Sequence, residues 1–263
     1  MDADVLVVGL GSMGSMALWR LAGRGVKVAG FDRLRPPHTM GSHHGGSRII
    51  RTAYFEGAGY VPLARRSFEL WRELAQESGR ELLVMTGGLH MGPPDSPEFS
   101  GALLSAREHG VAHEVLDAAA VRRRFPQHAL REEELGLLED EAGYLLPESA
   151  IAAALERAAA LGAEAHFDTP VEAVETVAGG VAVRAGGRTW RARHAVVAAG
   201  VWNTKLRLPG LRVKLTVVRQ TQAWFRAGRP AIHHPQLAPV FVRHVGPMVP
   251  GTEFGRASCR ERV

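Results

Sequence analysis

An α/β fold that opens on a strand, a glycine turn, a helix and a second strand is what this sequence predicts. Three observations in its first 32 residues carry that expectation: the run "DVLVV" at residues 4–8, the glycine-spaced "GLGSMG" after it, and "KVAGF" leading to Asp32. A short β-branched apolar run is what a strand covered on both faces of a parallel sheet needs. Residues 12–23, "SMGSMALWRLAG", have helical composition and stop at a glycine.

The turn has a job for each glycine. Gly9 permits the tight strand-to-helix reversal, Gly11 lets a pyrophosphate approach the backbone, and Gly14 lets the helix lie close on the strand. An anion then sits at the helix N-terminus, where unpaired N–H groups and the helix dipole favour it. Asp32 ends the second strand, where a carboxylate accepts the ribose hydroxyls of an adenosine. GxGxxG alone is a weak signal, but strand, turn, helix, strand and acid in order predict a dinucleotide site. An acid at position 32 disfavours a 2′-phosphate, which puts FAD or NAD ahead of NADP.

Bulk properties exclude several alternatives. With 263 residues and 46% hydrophobic content the chain can bury a core of one large or two small domains. The net charge of +5 raises the question of nucleic acid, yet lysine occurs only at 27, 205 and 214, and the arginines are spread along the chain. No basic face is expected, and no nucleic-acid partner. Arg122–Arg124 and Glu132–Glu134 read as solvated, mutually balancing surface. No apolar run reaches membrane-spanning length, and acids precede the first apolar stretch where a signal peptide would carry basic residues, so a cytoplasmic protein without membrane contact is expected. The single cysteine, Cys259, excludes internal disulfides and thiolate zinc sites. Residues 255–263, "GRASCRERV", carry four charges without periodicity and are expected to be a non-native tail.

After Asp32 the chain does not complete a regular mononucleotide-binding half, which disfavours an NAD dehydrogenase. It enters a proline-broken loop, then "GSHHGGSRIIR" at residues 41–51, then an amphipathic helix over about 61–77 whose stripe is Leu63, Phe68, Leu70, Trp71 and Leu74. If residues 47–51 are helical, Arg48 and Arg51 share a face; if extended, they point to opposite faces. The helical turn is the expectation. Two arginines suit a carboxylate ligand, because guanidinium offers a planar bidentate fork. The pairs His43–His44 and His233–His234 suggest metal, but neither spacing turns both rings readily onto one ion, so no metal is expected. Further on, residues 149–160 read as a helix, and "VEAVETV", "GVAVRAG" and "RTWRAR" read as a meander with glycine turns. "AVVAAG" reads as a small buried strand ending at Gly200.

Residues 36–62, "PPHTMGSHHGGSRIIRTAYFEGAGYVP", resemble the flavin-side loop of the monomeric sarcosine oxidase and N-methyl-tryptophan oxidase family. The resemblance extends through "TGGLHMG" (86–92), "EAGYLLPESA" (141–150), "TPVEAVE" (169–175) and "HAVVAAGVWNTKL" (194–206), and covers nearly everything to about residue 251. It implies a C-terminally truncated member of this group of FAD-dependent amino-acid oxidases. The fold class it implies is α/β: an FAD-binding Rossmann-like domain (1–81 and 148–216) interleaved with an incomplete α+β substrate domain on an antiparallel-rich sheet (82–147 and 217–254). A strand over residues 217–225 would begin the sheet above the substrate cavity.

The resemblance also implies the chemistry. A secondary amine, N-methyl or cyclic, of an amino acid such as sarcosine would be oxidised to an imine with O2 reduced to H2O2, by a monomeric enzyme. FAD would be held by Gly9, Gly11, Ser12, Met13, Gly14, Asp32, Arg33, Ser42, His43, Val171, Gly200 and Trp202, the last being equally well placed as a packed core residue. Arg51 would clamp the substrate carboxylate, with Arg48 and His44 beside the flavin and the amine. The glycines of the 41–46 stretch would leave room for the flavin ring. A non-catalytic FAD- or nucleotide-binding module or subunit is the alternative. Because the family's oxygen-activating lysine and flavin-linked cysteine lie beyond this sequence, weak FAD binding and poor turnover are expected of the chain alone.

Overall fold

The computed structural model describes residues 1–206, 208, 215–218, 221–244 and 256–257. In chain order its elements begin with β1 (Val5–Val8), α1 (Ser12–Ala22), β2 (Val28–Phe31), β3 (Arg48–Arg51), α2 (Val61–Ser78), β4 (Leu83–Met85), β5 (Gly88–Gly92) and α3 (Pro97–Glu108). Next come β6 (His113–Asp117), α4 (Ala118–Arg124), β7 (Leu135–Glu139), β8 (Ala142–Leu145), α5 (Pro147–Ala160) and β9 (Glu164–His166). The last are β10 (Val171–Val177), β11 (Gly180–Ala185), β12 (Arg188–Ala192), β13 (His194–Val197), β14 (Val240–Arg243) and β15 (Arg256–Ala257).

Two discontinuous units result. The first comprises Met1–Gly46, Leu74–Arg80 and Pro147–Arg219; the second comprises Ser47–Glu73, Glu81–Leu146 and Gln220–Val263. Segment Ser47–Glu73, expected in the first unit, joins the second because β3 pairs antiparallel with β8, Arg48 opposite Leu145 and Arg51 opposite Ala142.

The first unit is built on a parallel sheet of order β13-β1-β2-β9. Its central strands are buried along their whole length, which is why their sequences are uninterruptedly apolar. One face receives α1. A Cβ on Gly14 would lie 1.7 Å from the Gly9 carbonyl oxygen, and one on Gly30 would lie 2.6 Å from Leu10 Cδ2 and 3.1 Å from Leu18 Cδ1, so both glycines are imposed by the close packing of the turn and helix on the strands. The other face, Leu6, Val8, Ala29 and Phe31, packs against Val174, Val183, Ala185 and Ala192 of the β10-β11-β12 meander. Phe31 stacks on His166 at 5.1 Å and meets Trp190 edge-on at 5.0 Å.

The second unit contains a sheet of order β15-β14-β5-β7-β6 and a smaller one of order β3-β8-β4. In the larger sheet only β14 and β5 run parallel. Leu89, Met91, Leu116 and Leu138 face α4 through Val121, while Leu137 lies with Phe99, Ala102 and Ala106 of α3. His90 pairs with Leu137 and so shares its face.

Two expectations are corrected here. In α2 the buried positions are Val61, Ala64, Phe68 and Leu74, whereas Leu63 is 67% exposed. The stripe begins at Val61, whose spacing to Ala64 and Phe68 fits the helical period better than Leu63 does. The described residues of 217–225 form no strand, and Val217, Val218, Trp224 and Phe225 are exposed; the strand pairing with β5 is Val240–Arg243. Strand β15 pairs antiparallel with β14, and the rest of the segment expected to be a tail lies outside the described residues. No helix among the described residues is long and apolar enough to cross a membrane.

Within the second unit, burial and then the positive charges of Arg243 and His233 hold His128 down to about 4. Its ring sits edge-on to Phe241 at 4.6 Å, and its Nε2 is buried without a hydrogen-bond partner among the described residues. An unfolded histidine titrates near 6.5, so the folded chain binds fewer protons between these values. Stability is therefore fully present above about pH 6.5 and is lost as pH falls towards 4, by about 3 kcal/mol in all. Urea midpoints measured across this window should fall, and His128→Leu should flatten the fall.

Candidate functional site

The turn after β1 is shaped by its glycines. Gly9 has a φ of 88°, and a Cβ there would lie 2.5 Å from the Ala198 carbonyl oxygen, so this residue brings the end of β13 against the turn. Helix α1 then starts at Ser12 with no side-chain cap and no acid in its first turn. Its leading N–H groups are thus left to an anion. Gly11 has an ordinary φ of −67°, and the nearest atom to a Cβ on it would be His43 Nδ1, 3.5 Å away. Gly11 therefore fronts open space bordered by an imidazole. Met13 is 76% exposed beside it.

Asp32 closes the turn from below. Its Oδ2 accepts the Leu10 N–H at 2.7 Å and its Oδ1 the Leu34 N–H at 3.0 Å. β9 holds it in place, since the Asp32 N–H donates to the His166 carbonyl at 2.9 Å and its own carbonyl accepts from Thr169 at 2.8 Å. Each carboxylate oxygen keeps a second lone pair for a ribose hydroxyl. His38 Nε2 lies 3.8 Å from Asp32 Oδ1. The Arg33 guanidinium stacks 5.1 Å from the centroid of Trp202, and Gly200, with a φ of 55°, begins the short helical turn that carries this tryptophan.

The first unit thus gathers Gly9, Gly11, Ser12, Met13, Gly14, Asp32, Arg33, His43, Gly200 and Trp202 around one turn. Ser42 is exposed next to His43, and Val171 opens β10. An uncapped helix N-terminus, an open Gly11, a ribose-ready acid and an Arg–Trp stack form a donor and acceptor set that fits an adenine dinucleotide such as FAD. The N–H groups of Gly45 and Gly46 are turned onto Glu148 Oε1 at 2.9 and 3.1 Å.

In the second unit the two arginines occupy β3. The expected helical turn is overturned, because the "RIIR" run is β-branched at its centre and β8 supplies an antiparallel partner. Arg48 and Arg51 therefore point to opposite sheet faces. Arg51 is 2% exposed, its Nη2 bonded to Glu56 Oε2 at 2.5 Å and its guanidinium lying 4.5 and 4.9 Å from the Tyr54 and Phe55 ring centres. Its Nε is buried without a partner among the described residues. A small depression lined by Arg51, Ile49, His90 and Val242 adjoins it. Arg48 is half-buried and donates from Nη1 to the Ser47 carbonyl at 2.7 Å.

Glu139 holds the backbone that follows Arg51. Fully buried, it accepts the N–H groups of Thr52 and Ala53 on Oε2 at 3.0 and 2.9 Å and faces His90 Nε2 at 3.0 Å from Oε1. Sequence reasoning missed Glu56, Glu139 and Glu148. Glu139 stands among other acids, Glu148 in a helix start and Glu56 in a glycine-flanked loop, settings that read as solvated charge. Among the described residues no group of histidines, cysteines and acids could hold a metal ion.

A family model described as FAD dependent oxidoreductase matches residues 4–252. Monomeric sarcosine oxidase of Streptomyces avermitilis is 43% identical over 223 residues, covering 85% of this chain and 58% of the relative. N-methyl-L-tryptophan oxidase of Citrobacter koseri is 36% identical over 227 residues, covering 86% of this chain and 60% of the relative. The solved structure of NikD, an unusual amino acid oxidase essential for nikkomycin biosynthesis, in its open form, superimposes with a TM-score of 0.69 at 29% identity. It covers 78% of this chain and 53% of that one. The chain thus spans 58 to 60% of the length of the two curated relatives.

Proposed function

Because the chain belongs to the FAD dependent oxidoreductase family, we propose that it binds FAD on the Gly9–Gly14 turn and serves the oxidation of a secondary amine of an N-methyl or cyclic amino acid. When bound, FAD supplies the redox chemistry, taking two electrons from the amine carbon–hydrogen bond to leave an imine and passing them to O2 to give H2O2. Similarity to sarcosine and N-methyl-tryptophan oxidases supports the substrate class. The proposed setting is a cytoplasmic monomer.

The observation that carries the substrate reading is Arg51. Its guanidinium is buried against two aromatic rings and paired with the Glu56 carboxylate, itself one-third exposed. A substrate carboxylate can exchange for Glu56 without leaving a buried charge unpaired, and the planar fork receives it in two hydrogen bonds. Tyr54 and Phe55 exclude water from the cation and sharpen its field. Arg48 and His44 are proposed to attend the flavin and the reacting amine, the arginine adding positive charge that favours reduced flavin.

Titrating the purified chain with FAD, then with a carboxylate analogue of an N-methyl amino acid, tests this by the visible flavin spectrum. The wild type should bind FAD and respond to the analogue. Arg51→Gln should bind FAD within about twofold and weaken the analogue by about tenfold or more, the worth of a charged hydrogen-bond pair. Equal loss of both affinities would assign Arg51 to the fold instead.

A further inference from the structure

Glu148 is the acid that the flavin-loop glycines converge on. Gly45 and Gly46 have φ values of 126° and 82°, a left-handed pair that aims successive N–H groups at one point and so forms a nest for an anion. The anion is the Glu148 side chain, whose Oε1 takes both groups. Glu148 stands in the first turn of α5, where the helix dipole also favours negative charge. Burial pushes its carboxyl up, but the N–H groups of Gly45 and Gly46, its own N–H and the charge of His43 outweigh this and leave it below the ordinary glutamate value.

The same loop carries His43, 4% exposed. Its Nε2 accepts the His38 N–H at 3.4 Å, its ring fills the space a Cβ on Gly41 would need, and its Nδ1 borders Gly11. The loop is therefore tied to α5 at one end and presents an imidazole over the phosphate turn at the other.

We propose that Glu148 is a positioning residue for the dinucleotide: anchored on α5, it locks Gly45–Gly46 in the left-handed form and so keeps the His43 imidazole over Gly11, where the pyrophosphate would lie. This rests on the FAD reading above. Without the carboxylate the two N–H groups lose their acceptor, the loop relaxes, and His43 loses its placement.

The test compares the wild-type chain with Glu148→Ala, Glu148→Gln, His43→Ala and the Glu148→Ala/His43→Ala double variant. Two readings are taken: the FAD dissociation constant by flavin fluorescence, and hydrogen exchange at the Gly45 and Gly46 amides without FAD. Glu148→Ala should speed exchange at both glycines and weaken FAD by about tenfold. Glu148→Gln keeps an acceptor oxygen, so it should restore slow exchange and recover part of the affinity. The double variant should bind FAD no more weakly than Glu148→Ala, because the acid acts through the histidine. Additive losses, or a Glu148→Ala chain that binds FAD as the wild type does, would overturn the proposal alone. A wild-type chain that binds no FAD would overturn the FAD reading and this role with it.

Discussion

Glu139→Ala should destabilise the chain by about 3–5 kcal/mol, the usual cost of removing one member of a buried charged network. The carboxylate is fully buried and serves three groups: the N–H of Thr52, the N–H of Ala53 and the His90 imidazole, itself 1% exposed. Alanine leaves all three inside the protein without their acceptor, and each unsatisfied group costs about 1–3 kcal/mol. It also leaves a void between β5 and β7, where the Glu139 side chain packs against Gly88. Glutamine is the informative contrast. Its amide oxygen still accepts from Thr52 and Ala53, and its NH2 faces an imidazole nitrogen that can turn acceptor by changing tautomer, so the expected loss is about 1 kcal/mol. Urea unfolding reads the two values, and amide exchange at Thr52 and Ala53 locates them. A Glu139→Ala chain within 1 kcal/mol of wild type would mean that the 52–53 segment does not depend on this acid.

Gly14→Ala and Gly11→Ala should separate folding from cofactor binding within one turn. A Cβ on Gly14 would lie 1.7 Å from a backbone oxygen, that of Gly9, which cannot swing aside as a side chain can. Helix α1 would have to lift from β1, at a cost of about 3 kcal/mol or more, and its uncapped N-terminus would leave the phosphate position. Stability and FAD affinity should fall together. A Cβ on Gly11 meets only the His43 ring, nearest at Nδ1, 3.5 Å away, and the residue has an extended backbone with an ordinary φ of −67°. The fold should lose about 1 kcal/mol or less, as for alanine at an N-cap. The added methyl nevertheless occupies the surface a pyrophosphate must approach, so FAD should bind about tenfold or more weakly, equivalent to about 1.4 kcal/mol. Thermal unfolding and FAD titration of both variants check this. If Gly11→Ala bound FAD as tightly as wild type, the turn would not be the phosphate site.

Several elements could be read directly because their cause is local. The run at 4–8 is apolar in every position that a two-sided parallel strand buries, and the glycine spacing follows from how near a helix must lie to the strand before it. The meander is punctuated by its own glycine turns, with φ values of 77° at Gly179 and 72° at Gly187. Leu63 misled because it is apolar within a helix, though its angular position turns it outward. The stretch 217–225 misled for the complementary reason: β-branched and aromatic residues suit a strand, yet its described residues form none, and the larger sheet takes Val240–Arg243 instead.

Residue chemistry and spacing were thus enough to specify the strand–glycine turn–helix unit, Asp32 at its end, the meander and the presence of the arginine pair. They could not specify where the arginines point, since "RIIR" becomes a strand only through β8, ninety-odd residues on, and an odd spacing then sends the two guanidiniums to opposite faces. Nor could they specify what Glu56, Glu139 and Glu148 do. An acid in sequence is by default a solvated charge; it becomes a ligand for a guanidinium, for two strand-end amides or for a glycine nest only when distant backbone brings those donors to it. Local steric and hydrogen-bonding rules act within a few residues and are written in the sequence, whereas burial of a charge is settled by which partners the tertiary fold delivers.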